Sequence, residues 1–103
     1  MESKTAKECK KLLETKECEL IDVRSPSEHI EIRINFPSKN LPLDEMNSWI
    51  RELDKSKKYI IYCRSGARSS FACKILEENG FNVINLEGGI ISWIGDKLET
   101  TND

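Results

Sequence analysis

The hexamer KYIIYC (58–63) is apolar on both faces of an extended chain. Side chains alternate across a strand, so a segment of this kind must be covered on both sides. That is the environment of a central parallel strand, sandwiched between helical layers. The segments before and after it agree. CELIDV (18–23) and FNVINL (81–86) are also strand-like apolar runs, and helical patterns alternate with all three. Strands alternating with helices imply βαβ units and an α/β fold, with a mainly parallel sheet flanked by helices.

The helical patterns are mostly explicit. AKECKKLLE (6–14) places Ala6, Cys9, Leu12 and Leu13 on one face, with Thr5 as N-cap. Ser25-Pro26-Ser27-Glu28 is a capping box with proline at the first helical position, opening a short helix. LDEMNSWIREL (43–53) carries Met46, Trp49, Ile50 and Leu53 at helical spacing and predicts an amphipathic helix. Ser69–Asn79 predicts another, with Phe71, Ala72, Ile75 and Leu76 as its apolar face and Gly80 as its stop. GGIISWIGDKL (88–98) reads as a last helix. Residues 30–43, with two prolines and Asn40, read as a loop containing a short strand at 32–36. The polar tail ETTND (99–103) is expected to fray.

The chain has 103 residues, the size of one domain spanning 1–103. Sixteen basic against 18 acidic residues give a net charge of -2, which argues against nucleic acid as a partner. No apolar run approaches the roughly 20 residues needed to span a bilayer. The segment MESKTAKECKK has no apolar stretch of the secretory type. A cytoplasmic protein with four reduced cysteines is the expectation. There is no Cys-x-x-Cys and no Cys/His spacing of the zinc type, so neither a metal nor a cofactor is expected. Cys9 and Cys73 fall on helical faces and read as packing; Cys18 reads as packing or a surface thiol.

Cys63 is different. It ends the buried strand, and Arg64-Ser65-Gly66-Ala67-Arg68-Ser69 leads into the next helix. Ligand sites of open α/β sheets lie at the carboxyl ends of strands. Unpaired N–H groups at a helix start, and the helix dipole, favour an anion there. Gly66 permits the dihedral angles of an amide cradle, and Arg64 and Arg68 add full charges. All of these favour the thiolate over the thiol. Cys63 is therefore the expected nucleophile.

Two cysteine-loop chemistries fit such a turn. The tyrosine-phosphatase signature places an arginine six residues after the cysteine. Here Ser69 stands at that place, the arginine comes one earlier, and Tyr62 replaces a frequent histidine. A loop one residue shorter suits a single terminal sulfur better than a phosphate. LIDVRSPSEH (20–29), YCRSGARSS (62–70) and LEGGIISW (86–93) resemble, in order, three motifs of the rhodanese-like sulfurtransferases, covering residues 20–95. The resemblance implies a three-layer rhodanese-like fold. It also implies a reaction: a sulfane sulfur passes from a small anionic donor such as thiosulfate, through a Cys63 persulfide, to a thiophilic acceptor such as cyanide or a thiol. A carrier handing sulfur to a protein thiol is the alternative, and a non-catalytic binding module of the same fold is a third reading.

Carried over by position, Cys63 is the sulfur carrier and the amides from Arg64 to Ser69 would cradle the persulfide. Arg64 and Arg68 would attract the anionic donor. Ser65 and Ser69 are hydroxyl donors to the sulfur, or plain turn and cap residues. Asp22 and Arg24 match supporting positions near the loop, with Arg24 paired to Glu28. Trp93 reads as core and His29 as packing rather than as a base. The segment 32–43 departs from the family: Arg33 replaces its histidine, and Asn35-Phe36-Pro37 replaces its Pro-Gly turn.

Overall fold

A computed structural model describes residues 1–100. Five parallel strands form the central sheet in the order β1 (Glu2–Lys4), β6 (Asn82–Leu86), β5 (Lys58–Tyr62), β2 (Glu19–Asp22), β4 (Ser38–Asn40). A separate antiparallel ribbon pairs β3 (Ile32–Ile34) with β7 (Lys97–Glu99). The helices are α1 (Ala6–Glu14), α2 (Pro26–Glu31), α3 (Met46–Trp49) and α4 (Ala67–Glu78).

The doubly apolar segment is indeed the central strand. Alternation sends Tyr59, Ile61 and Cys63 to the face that packs against Met46, Trp49, Ala72, Cys73 and Leu76 of α3 and α4. Ile60 and Tyr62 point the other way, into a second core with Ala6, Cys9 and Leu13 of α1. The helices thus cover both faces, as a parallel sheet requires. Thr5 and Ser25 each form a complete capping box.

Several elements differ from the sequence reading. The 43–53 helix is a 3-10 turn at Leu43–Glu45 followed by only one α turn, α3. Its apolar spacing was correct, since Met46, Trp49 and Leu53 are buried. The indole N–H of Trp49, however, donates to Pro42 O (2.8 Å), and Glu52 N–H returns to Trp49 O. These contacts close the segment into tight turns. The 88–98 helix is absent. Gly88 and Gly89 have φ of 78° and 62°, and only Ile90–Ser92 make a 3-10 turn before β7. Strands β1 and β4, three polar-rich residues each, carry no periodicity and form because the sheet edges supply partners. Helix α4 starts two residues earlier than expected. Phe71 is 57% exposed, and the buried face is Ser69, Ala72, Cys73 and Leu76. At the tail, Glu99 lies in β7 and Thr100 N–H donates to Glu31 O. Residues 101–103 lie outside the described residues.

Candidate active site

Strand β5 delivers Cys63 to the carboxyl edge of the sheet, and residues 63–66 turn the chain into α4. Gly66 caps that helix with φ of 106°, a left-handed conformation that suits glycine. The turn folds back over the sulfur. Gly66 N–H donates to Cys63 Sγ at 3.1 Å and Ser69 N–H at 3.4 Å; Ser69 Oγ lies 3.4 Å away. Cys63 is only 1% exposed. Burial opposes its ionisation, but the Ser69 hydroxyl and the amides of Ser69, Gly66 and Ser65 outweigh it and hold the thiol below its ordinary range. Cys9 and Cys73 have no such cradle, and burial pushes both up to about 12. Cys18 is raised for the same reason. All four are buried free thiols; one is built to ionise.

Ser69 is central to this network. Its hydroxyl also reaches Gly66 O at 3.2 Å. One proton cannot serve both acceptors, so ionisation of Cys63 draws it toward sulfur. Ser69→Ala is expected to raise the Cys63 pKa and slow its alkylation at neutral pH. The pH dependence of iodoacetamide reaction, with the labelled residue located by peptide mass, reads this out. An unchanged profile would remove the hydroxyl from the network.

A second loop holds the first in place. Ile90 N–H donates to Cys63 O (2.9 Å) and Ile91 N–H to Arg64 O (3.2 Å). That approach requires Gly89, where an added Cβ would stand 2.4 Å from Arg64 O and 2.6 Å from Cys63 O. At Gly88 an added Cβ would meet a side chain instead, 2.0 Å from Ser92 Oγ. The Gly-Gly pair is visible in the sequence, but its place against the cysteine loop is not. Trp93 is core as expected, buried and packed edge-on against Phe36 (6.2 Å between centroids).

The charged residues are arranged differently from expectation. Arg24 does not pair with Glu28. Its Nε and Nη2 donate to Asp22 (2.9 and 2.7 Å), and Nη2 also donates to Ile32 O (2.6 Å). Both side chains are buried. Asp22 pairs in register with Tyr62, on the opposite face from the Cys63 side chain, so this ion pair braces the sheet beneath the loop. His29 is not plain packing. Its Nδ1 lies 2.9 Å from Asp22 Oδ2, and because a carboxylate only accepts, Nδ1 carries the proton. Glu28 instead grips Arg68 through two hydrogen bonds (2.8 and 2.9 Å) while accepting from Ser25 N–H. Arg68 holds the Glu28 carboxyl down at about 2. Arg68 is therefore already neutralised. Arg64, Ser65 and Ala67 are exposed, and among the described residues Arg64 has no carboxylate partner.

The chain that carries this turn and its Gly-Gly loop is matched by a family model. The model for the rhodanese-like domain covers residues 5–96. The chain belongs to the rhodanese-like family. Relatives of this rhodanese-like chain include a protein named sulfurtransferase from Allochromatium vinosum, 39% identical over 81% of this chain and 78% of that one. Another is a thiosulfate:glutathione sulfurtransferase from Saccharomyces cerevisiae, 36% identical over 78% and 69%. Among solved structures, a rhodanese-related protein from Thermoplasma volcanium matches with a TM-score of 0.87 at 33% identity, covering 95% of this chain and 98% of that one. A rhodanese-like domain protein from Staphylococcus aureus matches with 0.85 at 33% identity, covering 98% and 100%. The names of its homologues place the chain with the sulfurtransferases of this family. Among the described residues no helix is long and apolar enough to cross a membrane.

Proposed function

We propose that this protein transfers sulfane sulfur through a persulfide on Cys63, with thiosulfate as a donor and cyanide or a thiol as acceptor. The observation that carries this reading is the set of donors converging on Cys63 Sγ from Gly66 and Ser69. The thiolate attacks the outer sulfur of thiosulfate. The sulfur–sulfur bond of the donor breaks, and its electron pair leaves with sulfite. Cys63 now carries a persulfide anion, whose charge the loop amides of residues 64–69 stabilise as an oxyanion hole would. The acceptor then attacks the terminal sulfur, and the electron pair of the Cys63–sulfur bond returns to Sγ. With cyanide the product is thiocyanate, and no charge or proton is left over.

Arg64 is the loop cation available to draw in an anionic donor, whereas Arg68 holds the loop to α2 through Glu28. The name of the yeast relative supports thiosulfate as the donor to try first. The intact mass of the reduced protein is measured before and after thiosulfate. A gain of one sulfur atom, removed by cyanide, is the expected result. Repeated failure with both thiosulfate and a persulfidated cysteine donor would sink the reading. A gain with the second donor alone would select the carrier that delivers sulfur to a protein thiol.

A further inference from the structure

Beside the cysteine loop lies a cavity of about 250 Å³. Arg64, Ile90 and Ile91 contribute to it from the loop and its clamp, and Glu31, Ile32 and Lys97 from the α2–β3 junction and the start of β7. Arg24 and Glu28 also reach it, but each is already held in an ion pair, with Asp22 and Arg68. Among the described residues Arg64, Lys97 and Glu31 have no ion-pair partner. Two free cations, one free carboxylate and three isoleucines therefore line one small space.

No simple ion complements that lining. An anion alone leaves Glu31 facing it, and a cation alone faces Arg64 and Lys97. A molecule with both a carboxylate and an ammonium on a short apolar stem satisfies all three charges. The volume lies below the roughly 300–1,000 Å³ of drug-sized sites and suits a molecule of amino-acid size.

We propose that this cavity is the acceptor subsite and that it selects a zwitterionic aminothiol, carboxylate toward Arg64 and Lys97 and ammonium toward Glu31. The inference rests on the sulfurtransferase reading above. In the step it serves, the aminothiol passes its thiol proton to the Cys63 persulfide anion and its sulfur attacks the terminal sulfur. The bond from Sγ to that sulfur breaks with its electron pair returning to Sγ, and the product leaves as a protonated low-molecular-weight persulfide. No oxidant or reductant is consumed. Lys97 reaches the cavity because β7 pairs with β3, setting Lys97 opposite Ile34. The β3–β7 ribbon thereby becomes part of the site.

The test compares 3-mercaptopropionate, which carries only the carboxylate, with cysteamine, which carries only the ammonium. The ratio of their kcat/KM values within each preparation cancels partial unfolding, and comparing that ratio with wild type cancels the intrinsic nucleophilicity of each thiol. Lys97 and Glu31 are both exposed, so charge reversal leaves the core intact. Lys97→Glu is expected to lower the mercaptopropionate-to-cysteamine ratio about tenfold or more, and Glu31→Lys to raise it about as much. Ratios that stay within about twofold of wild type, with cyanide turnover intact, would overturn this inference and leave the sulfurtransferase reading standing. Absence of cyanide turnover in the persulfide-charged wild type would overturn both.

Discussion

Replacement of Cys63 by serine is expected to lower sulfur transfer by roughly 10³-fold or more, the scale seen when a covalent nucleophile is removed. A serine hydroxyl is neutral at neutral pH, and its oxygen does not form the sulfur–sulfur bond that the cycle needs. The fold should survive. Serine still accepts from the Gly66 and Ser69 amides, so stability should change by no more than about 1 kcal/mol. Thiocyanate production from thiosulfate and cyanide, together with a melting curve, separates lost chemistry from lost fold. Cys9→Ala and Cys73→Ala are the controls. Both thiols are buried and pushed up to about 12, so both variants should still take up one sulfur atom. Turnover persisting in Cys63→Ser would move the reaction elsewhere.

Gly89→Ala carries the second large effect, and it acts on the fold and the site together. The residue has φ of 62° and ψ of -159°, a region that side chains reach only with strain of about 1–3 kcal/mol. Its new Cβ would also meet backbone, 2.4 Å from Arg64 O and 2.5 Å from Arg64 C, which cannot rotate away as a side chain can. The loop must shift, and the two hydrogen bonds from Ile90 and Ile91 are weakened at about 1 kcal/mol each. A total of roughly 3–5 kcal/mol would lower Tm by about 10–20 °C or more in a domain of this size. Gly80→Ala is the matched comparison. It has φ of 86° but only Lys55 Nζ nearby, at 3.9 Å, so it should cost about 1–2 kcal/mol from the backbone alone. Equal melting temperatures for the two variants would mean that the Gly-Gly loop does not clamp the cysteine loop. A pKa of Cys63 shifted upward in Gly89→Ala alone would show that the clamp maintains the amide cradle.

A cysteine at the end of a buried strand, with a turn of amides after it, was legible in the sequence. Strand KYIIYC must be central because both of its faces are apolar. Glycine and polar residues after a strand-terminal cysteine must turn into a helix whose first amides point back at the sulfur. The capping boxes at Thr5 and Ser25 were equally local, since their partners lie three residues apart. Local spacing also marked the buried residues of 43–53 correctly, yet it overstated the helix. Apolar periodicity reports which side chains face the core, not whether the backbone amides find helical carbonyls. In residues 88–98 only the amides of Ser92 and Trp93 do, because the backbone turns extended at Trp93 (ψ 127°) and residues 97–99 pair with β3 instead.

What only the tertiary structure decided is the pairing of groups far apart in the chain. Glu28 had two arginines available, and the packing of α2 against the start of α4 assigns it Arg68, 40 residues away. That leaves Arg24 to Asp22 and brings His29 onto the same carboxylate. Strands β1 and β4 exist because sheet edges offer them hydrogen bonds, a cause that their own residues do not encode. Lys97 reaches the cavity only through the register of β7 on β3. The sequence determined the strand that ends in Cys63 and the turn that follows it, because propensity, capping and amide direction act within a few residues. The topology decided which charges remain free around Cys63, because Coulomb and hydrogen-bond partners are chosen by distance in space.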